Sequence, residues 1–279
     1  MAVPYLSLIV PAYNEVNAIA KTLASISTYL DKQGYAYEVI VAADGNDGTR
    51  EKAAEVAARD PRVSVIGSAE RGGKGRGVRN GVFRAGGQVI GFLDADYKTP
   101  IDEFEKLRPW LERGEEVVIG SRKVSDATVE VRQSMHRRLG SRAFAVVRGA
   151  LIGLADIRDT QCGFKFFQRD AAKAIFARQR IDGYMFDVEI LYLARRLGYR
   201  IREVGVRWQD DGDSRSAAVT QSFWHGMDLL KIRFGSYDAL RRQGADETGR
   251  PTAESSRAAP PAGAAAAPVP AADELGRAC

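Results

Sequence analysis

The chain is short of the residues that staple or metallate small proteins. Among its 279 residues are two cysteines, Cys162 and Cys279. Two thiols cannot build a disulfide framework, so the fold is expected to rest on its core, in a reducing compartment. The two histidines, His136 and His225, have no partners at ligand spacing, which argues against an imidazole-based metal site. No apolar run reaches the ~18 residues that span a bilayer. The opening Met-Ala-Val-Pro-Tyr carries neither a charged leader region nor a cleavage site, so no secretory signal is expected. Together these absences point to a cytoplasmic protein, with any bilayer contact peripheral.

Charge is present in excess of one sign. Net charge is +5, and the segment from Gly244 onward holds five acids against three arginines, which leaves +7 on the remainder. A basic body expects an anionic partner: a nucleotide, a phospholipid headgroup or nucleic acid. A generically basic surface accounts for the charge equally well. No patch interleaves aromatic with basic residues, so nucleic acid is not expected.

The length suits one large α/β domain or two small ones. Apolar runs predict strands at Tyr5–Pro11, Glu38–Ala43, Val63–Ile66, Val89–Leu93 and Val117–Gly120. Between them, Ile19, Leu23, Ile26 and Leu30 recur at helical spacing, a helix follows the glycine-rich Gly72–Gly77, and Thr99-Pro100 is expected to cap and open another. This alternation predicts a mostly parallel sheet with helices on both faces. Further on, Glu130–Leu154, Met185–Leu197 and Val219–Phe234 read as helical, and Val204, Val206 and Trp208 alternate as in a strand. The domain is therefore expected to span residues 1–242. Residues 243–279, rich in Ala and Pro with almost no large apolar side chain, are expected to be disordered.

The chemistry sits at predicted strand ends, where parallel α/β sheets collect ligands. Asp94-Ala95-Asp96 leaves an apolar strand, and two carboxylates so spaced suit a hard divalent cation, Mg²⁺ or Mn²⁺, completed by phosphate and water. Alone, the tripeptide would serve equally as two solvated loop acids. It is preceded in order by Pro11-Ala-Tyr-Asn-Glu15, Asp44-Gly-Asn-Asp-Gly-Thr49 and Arg71-Gly-Gly-Lys-Gly75. The last is no P-loop, since its spacing is off and no Ser or Thr follows the lysine.

These four segments resemble glycosyltransferase family 2, whose members have the GT-A (nucleotide-diphospho-sugar transferase) fold. Gly120-Ser-Arg122 and Asp159-Thr-Gln-Cys-Gly-Phe-Lys165 resemble the branch that makes polyprenyl- or dolichyl-phosphate sugars. The resemblance implies that Pro11, Tyr13 and Glu15 line the nucleotide, that Asp44 accepts from its base and that Lys74 lies near it. It also implies that Asp94 faces the ribose and shares the metal with Asp96. Arg122, and Arg137 or Arg138 with Ser141, would lie near an acceptor phosphate. The implied reaction is inverting transfer of a hexose, glucose from UDP-glucose, to a polyprenyl phosphate. A family 2 transferase acting on a sugar hydroxyl is the alternative.

Two positions depart from the family. Ala43-Asp44-Gly45-Asn46 offers the base one acid where two are usual, and Lys98 stands where some relatives carry a metal-ligating glutamine. The two acceptor types differ in one need: a sugar hydroxyl requires a general base, whereas a phosphate monoester, with a second pKa of about 6, is already a nucleophile. Asp187 is the candidate base. Glu189 reads as a solvated or core-rim acid. The basic amphipathic stretch Arg132–Leu154 is the expected membrane contact.

Overall fold

The computed structural model of the protein describes residues 3–125, 127–129, 149, 151–209, 220–235 and 237. Arg137, Arg138, Ser141, most of the Arg132–Leu154 stretch and the 243–279 tail lie outside them.

The first half alternates as its pattern requires: β1 (Leu6–Tyr13), α1 (Ile19–Leu30), β2 (Tyr37–Asp44), α2 (Thr49–Ala57), β3 (Val63–Ile66), α3 (Lys74–Arg84) and β4 (Val89–Leu93). Then come a 3₁₀ turn (Ile101–Glu103), α4 (Phe104–Glu112), β5 (Val117–Ser121) and the short β6 (Thr128–Val129). The second half holds β7 (Phe164–Gln168), α5 (Arg169–Phe176), α6 (Phe186–Arg196), β8 (Ile201–Gly205), β9 (Arg207–Trp208) and α7 (Thr220–Phe234). Seven strands form one sheet in the order β3-β2-β1-β4-β7-β5-β8, and β6 pairs with β9 apart from it.

Both faces of the sheet are covered, and strand alternation divides the core in two. Ile9, Ile40, Ile90, Phe92 and Phe167 face α3, α5 and α6. Leu8, Val10, Val39, Val41, Phe164 and Phe166 face α1, α2 and α4. Burial on both faces explains why these strands are nearly continuous apolar runs.

Several features differ from the sequence expectation: α2 has no counterpart in it, and β1 runs on through Pro11 to Tyr13. Pro100 is extended, with ψ 150°, so the helix begins after it with the 3₁₀ turn, and no side chain caps the start. The largest difference is β7, which pairs antiparallel with both β4 and β5 in an otherwise parallel sheet. Its second residue, Lys165, breaks the apolar pattern that marks a buried strand, which hides it from periodicity.

The register builds the site. β1 and β2 pair through Tyr13↔Asp44, whereas β1 and β4 pair only as far as Ile9↔Phe92. Beyond that couple the two strands part, and Pro11, which has no N–H to give, falls where the β4 ladder has already ended. The chain winds outward from β1 through β2 to β3, then crosses by α3 to β4. The crevice between β1 and β4 is thus the topological switch point.

Close packing of β7 on β4 needs a residue without a side chain at Gly91. A Cβ there would stand 2.1 Å from the ring of buried Phe166. Gly91→Ala should destabilise the fold by about 1–3 kcal/mol, the usual cost of overpacking, measured by urea titration. An unchanged midpoint would show that the β4–β7 contact is loose.

Candidate active site

The crevice holds a cavity of about 180 Å³ whose lining includes Pro11, Tyr13, Glu15, Asp44, Lys74, Asp94 and Asp96. Motifs separated by as many as 85 positions are thus brought onto one wall. Arg71 and Tyr184 also line it. Neither stood out in the sequence, although Arg71 opens the glycine-rich loop and Tyr184 follows a glycine. The Arg71 guanidinium lies 4.4 Å from the centre of the Tyr13 ring, a cation–π contact that fixes both at the rim.

Asp44 is engaged on several sides. It accepts from the backbone N–H of Ser68 (3.1 Å) and Gly72 (2.8 Å), and Arg76 lies 3.5 Å away. Its carboxylate therefore shapes the 68–72 loop, on the wall between this cavity and a neighbouring one of about 280 Å³. On the other side, Asp47 and Thr49 hold the β1–α1 turn: Glu15 N–H donates to the Thr49 hydroxyl, and Val16 N–H to Asp47.

Lys74 is the first residue of α3, where a cation opposes the helix dipole. Two carboxylates answer it: its Nζ stands 2.7 Å from Asp94 Oδ1 and 3.6 Å from Asp187 Oδ2. Burial pulls its pKa down, but Asp94 and Asp187 outweigh burial and hold it above the ordinary lysine range, so it is charged. Asp94 is confined from another side by Gly163, where a Cβ would fall 2.1 Å from Asp94 Oδ2.

Asp187 is not placed to act as a base. It is 3% exposed, and its Oδ1 lies 2.5 Å from the ammonium of Lys165, which is itself wholly buried. The expectation is corrected: this acid is a counter-ion beneath the cavity, withdrawn from solvent. Glu189 is corrected likewise, since it too is buried. It accepts from Arg180 N–H (2.9 Å), Ile181 N–H (2.8 Å) and the Tyr237 hydroxyl (2.9 Å), and so fixes the loop that carries Tyr184 to the cavity.

Arg122 does not line the cavity but is anchored to the loop that also sets Gly163 against Asp94. Its Nε and Nη2 donate to both oxygens of buried Asp159, at 2.7 and 2.8 Å, which leaves Nη1 outside the pair. Asp159 N–H in turn donates to Glu203 at 2.7 Å, and the Arg122 guanidinium lies 5.5 Å from the Trp208 ring centre.

Asp94 and Asp96 test the expectation of a metal. Partial desolvation, and then the nearby charge of Asp94, raise the pKa of Asp96 against the pull of Lys98, 3.9 Å away, and of Lys74, although the Asp96 side chain is 41% exposed. Both face the cavity, and among the described residues no third acid, histidine or cysteine joins them. Two oxygen donors that leave the remaining positions to phosphate and water fit a Mg²⁺- or Mn²⁺-like ion.

The pattern of glycosyl transferase family 2 matches residues 7–176. The chain belongs to that family. This transferase is 33% identical over 239 residues to dolichyl-phosphate beta-glucosyltransferase ALG5A of Trichomonas vaginalis, with 82% of this chain and 72% of that protein covered. To the human dolichyl-phosphate beta-glucosyltransferase it is 32% identical over 246 residues, covering 82% and 74%. Its fold is that of glucosyl-3-phosphoglycerate synthase from Mycobacterium tuberculosis, solved with Mn²⁺, UDP and glucosyl-3-phosphoglycerate. That comparison has a TM-score of 0.59 at 18% identity, over 82% of this chain and 78% of the other. The transferase therefore has the GT-A fold, as its sheet order indicates.

Two outcomes follow for this transferase. Gly163→Ala should push Asp94 from its place and lower turnover by about 10²-fold, the scale of a small misplacement at a reacting centre, with the melting temperature nearly unchanged. Equal losses in both would mean the loop is merely structural. Burial acts to raise the pKa of Asp159, but Arg122 outweighs it and the folded-state value is depressed. The pair's stabilisation is therefore complete above the unfolded value of about 3.9 and fades as pH falls from there through the depressed folded value. Asp159→Asn should cost about 3 kcal/mol at neutral pH, as breaking a buried pair does, and flatten that acid limb in urea titrations.

Proposed function

We propose that this transferase moves glucose from UDP-glucose to a polyprenyl or dolichyl phosphate, with inversion at C1 and with the help of Mg²⁺ or Mn²⁺. The observation that carries the reading is the gathering of Pro11, Tyr13, Glu15, Asp44, Lys74, Asp94 and Asp96 on one cavity. Similarity over 82% of the chain to dolichyl-phosphate beta-glucosyltransferases supports the donor and acceptor.

In this reading an acceptor phosphate oxygen attacks C1 as the bond from C1 to the diphosphate breaks, and UDP leaves from the opposite face. A divalent cation held by Asp94 and Asp96 would supply positive charge beside the leaving diphosphate, and charge stabilisation there lowers the barrier. Lys74 adds an ammonium at the same place. The nucleophile needs no base, because a phosphate monoester is ionised near neutral pH. The burial of Asp187 between two lysines favours such an acceptor over a sugar hydroxyl. Arg122, oriented by Asp159, would offer Nη1 to the acceptor phosphate.

The catalytic domain in this reading spans residues 1–242, with 243–279 as a tail. No helix among the described residues is long and apolar enough to cross a membrane. The proposed contact is peripheral, at the cytoplasmic face, with the basic body drawn to anionic headgroups.

The test is incubation of the purified protein with labelled UDP-glucose and competing nucleotide sugars, polyprenyl phosphate and Mg²⁺ or Mn²⁺, followed by lipid extraction and NMR of the anomeric centre. The expected product is a β-linked glucosyl lipid phosphate, formed from UDP-glucose, abolished by EDTA and reduced by about 10²-fold or more in Asp96→Ala. Label in a free sugar acceptor, an α-linked product or full activity in EDTA would overturn the reading.

A further inference from the structure

Beneath the cavity four side chains alternate in charge. Lys165, on β7, is wholly buried and donates to the carbonyl of Cys162 (2.6 Å) and to Asp187 Oδ1 (2.5 Å). Asp187 Oδ2 lies 3.6 Å from Lys74, and Lys74 lies 2.7 Å from Asp94 Oδ1. Phe92 and Phe186 wall this row: Lys165 lies 5.5 Å from the Phe92 ring centre, and Lys74 lies 5.7 Å from that of Phe186.

The two contacts of Lys74 are unequal. Asp187 already has a closer cation in Lys165, so it holds Lys74 loosely, and Lys74 is left to Asp94. Lys74 thereby occupies, with its own positive charge, one oxygen of a carboxylate that a divalent cation would use. An ammonium and a divalent cation sharing one carboxylate repel each other. A diphosphate changes the balance, because it gives Lys74 another anion to face while Asp187 keeps it within reach.

From this geometry we infer that Lys165 and Asp187 are positioning residues that hold Lys74 as an internal counter-ion on Asp94, and that a nucleoside diphosphate releases Asp94 to the divalent cation by drawing Lys74 to its phosphates. Nucleotide and cation binding are then linked, each strengthening the other, as any such coupling must be reciprocal. This rests on the proposed nucleotide-sugar donor. It goes beyond that reading in assigning a role to two buried residues that touch neither substrate.

The test measures Mn²⁺ binding by electron paramagnetic resonance, without nucleotide and with UDP or GDP, corrected for Mn²⁺ held by the nucleotide alone. In the unaltered protein UDP should tighten Mn²⁺ by about tenfold or more, within the usual range of coupling between sites. Lys74→Met should bind Mn²⁺ without nucleotide about tenfold more tightly than the unaltered protein, and lose most of the response to UDP. Lys165→Met frees Asp187 to draw Lys74 from Asp94, so it should shift Mn²⁺ binding the same way by a smaller factor. The neutral double variant Lys165→Met/Asp187→Asn leaves Lys74 to Asp94 alone and should bind Mn²⁺ without nucleotide no better than the unaltered protein. That loss of the effect on adding a second substitution is not expected of a merely structural pair.

Circular dichroism checks folding. If Lys165→Met does not fold, Lys74→Met and the double variant carry the test. Lys74→Met binding Mn²⁺ no more tightly without nucleotide overturns the inference, as does the absence of tightening by either nucleotide in the unaltered protein. Tightening by GDP and not UDP supports the inference and rejects the uridine donor.

Discussion

A lysine ammonium with no solvent exposure, in the middle of a seven-stranded sheet, persists only where a counter-charge and hydrogen bonds replace water. Asp187 and the Cys162 carbonyl supply both to Lys165. Much of the site follows from this one requirement. It sets the place of β7, because Lys165 must face the helix that begins with Phe186 and Asp187. It also sets the path of the 159–165 loop, which brings Cys162 back onto Lys165, Gly163 against Asp94 and Asp159 to Arg122. The start of α3 is drawn into the same arrangement, since Lys74 completes the row of charges and Gly75 N–H donates to Asp182 in the loop before α6.

The antiparallel strand thus does more than fill the sheet. β4 ends at the acidic motif, and its neighbour on one side, β1, diverges from it to open the crevice. Its neighbour on the other side, β7, runs in the opposite direction and carries the loop that precedes it up to the same edge. Pro11, Tyr13, Asp44 and Lys74 come from the β1, β2 and α3 side of the switch point, and Arg122 with Asp159 comes from the β5 and β7 side. The acidic pair lies between them. Each acid of the pair already has a lysine beside it, Lys74 2.7 Å from Asp94 and Lys98 3.9 Å from Asp96.

The interior follows the same economy of placement. Phenylalanines on β4 and β7 pack across the strand pair and onto both helical layers, with Phe164 and Phe166 in edge-to-face contact and Phe92 within 5.6 Å of Phe186. These rings exclude water from the buried lysines on one face and seat α4 on the other. A strand that carries Lys165 therefore remains a core strand, because Phe164, Phe166 and Phe167 are buried on its two faces.

Local pattern made the five parallel strands and α1, α3 and α4 legible, because a doubly covered strand must be apolar throughout; α2, which lacks a continuous apolar stripe, was not legible. It also made the residues that line the cavity legible one motif at a time, since each motif sits at a strand end and a parallel register brings strand ends to one edge. β7 and α5 were not legible, since a lysine in a buried strand makes sense only beside an aspartate 22 positions later. For the same reason Asp187 resembled a free acid and Glu189 a solvated one: sequence names a titratable group, and only its neighbours in space decide whether it is spent. Composition and motif order determined the family, the fold and the cavity. The tertiary structure decided which charges face that cavity and which neutralise one another beneath it, because electrostatic partnership depends on distances of a few ångströms between segments far apart in the chain.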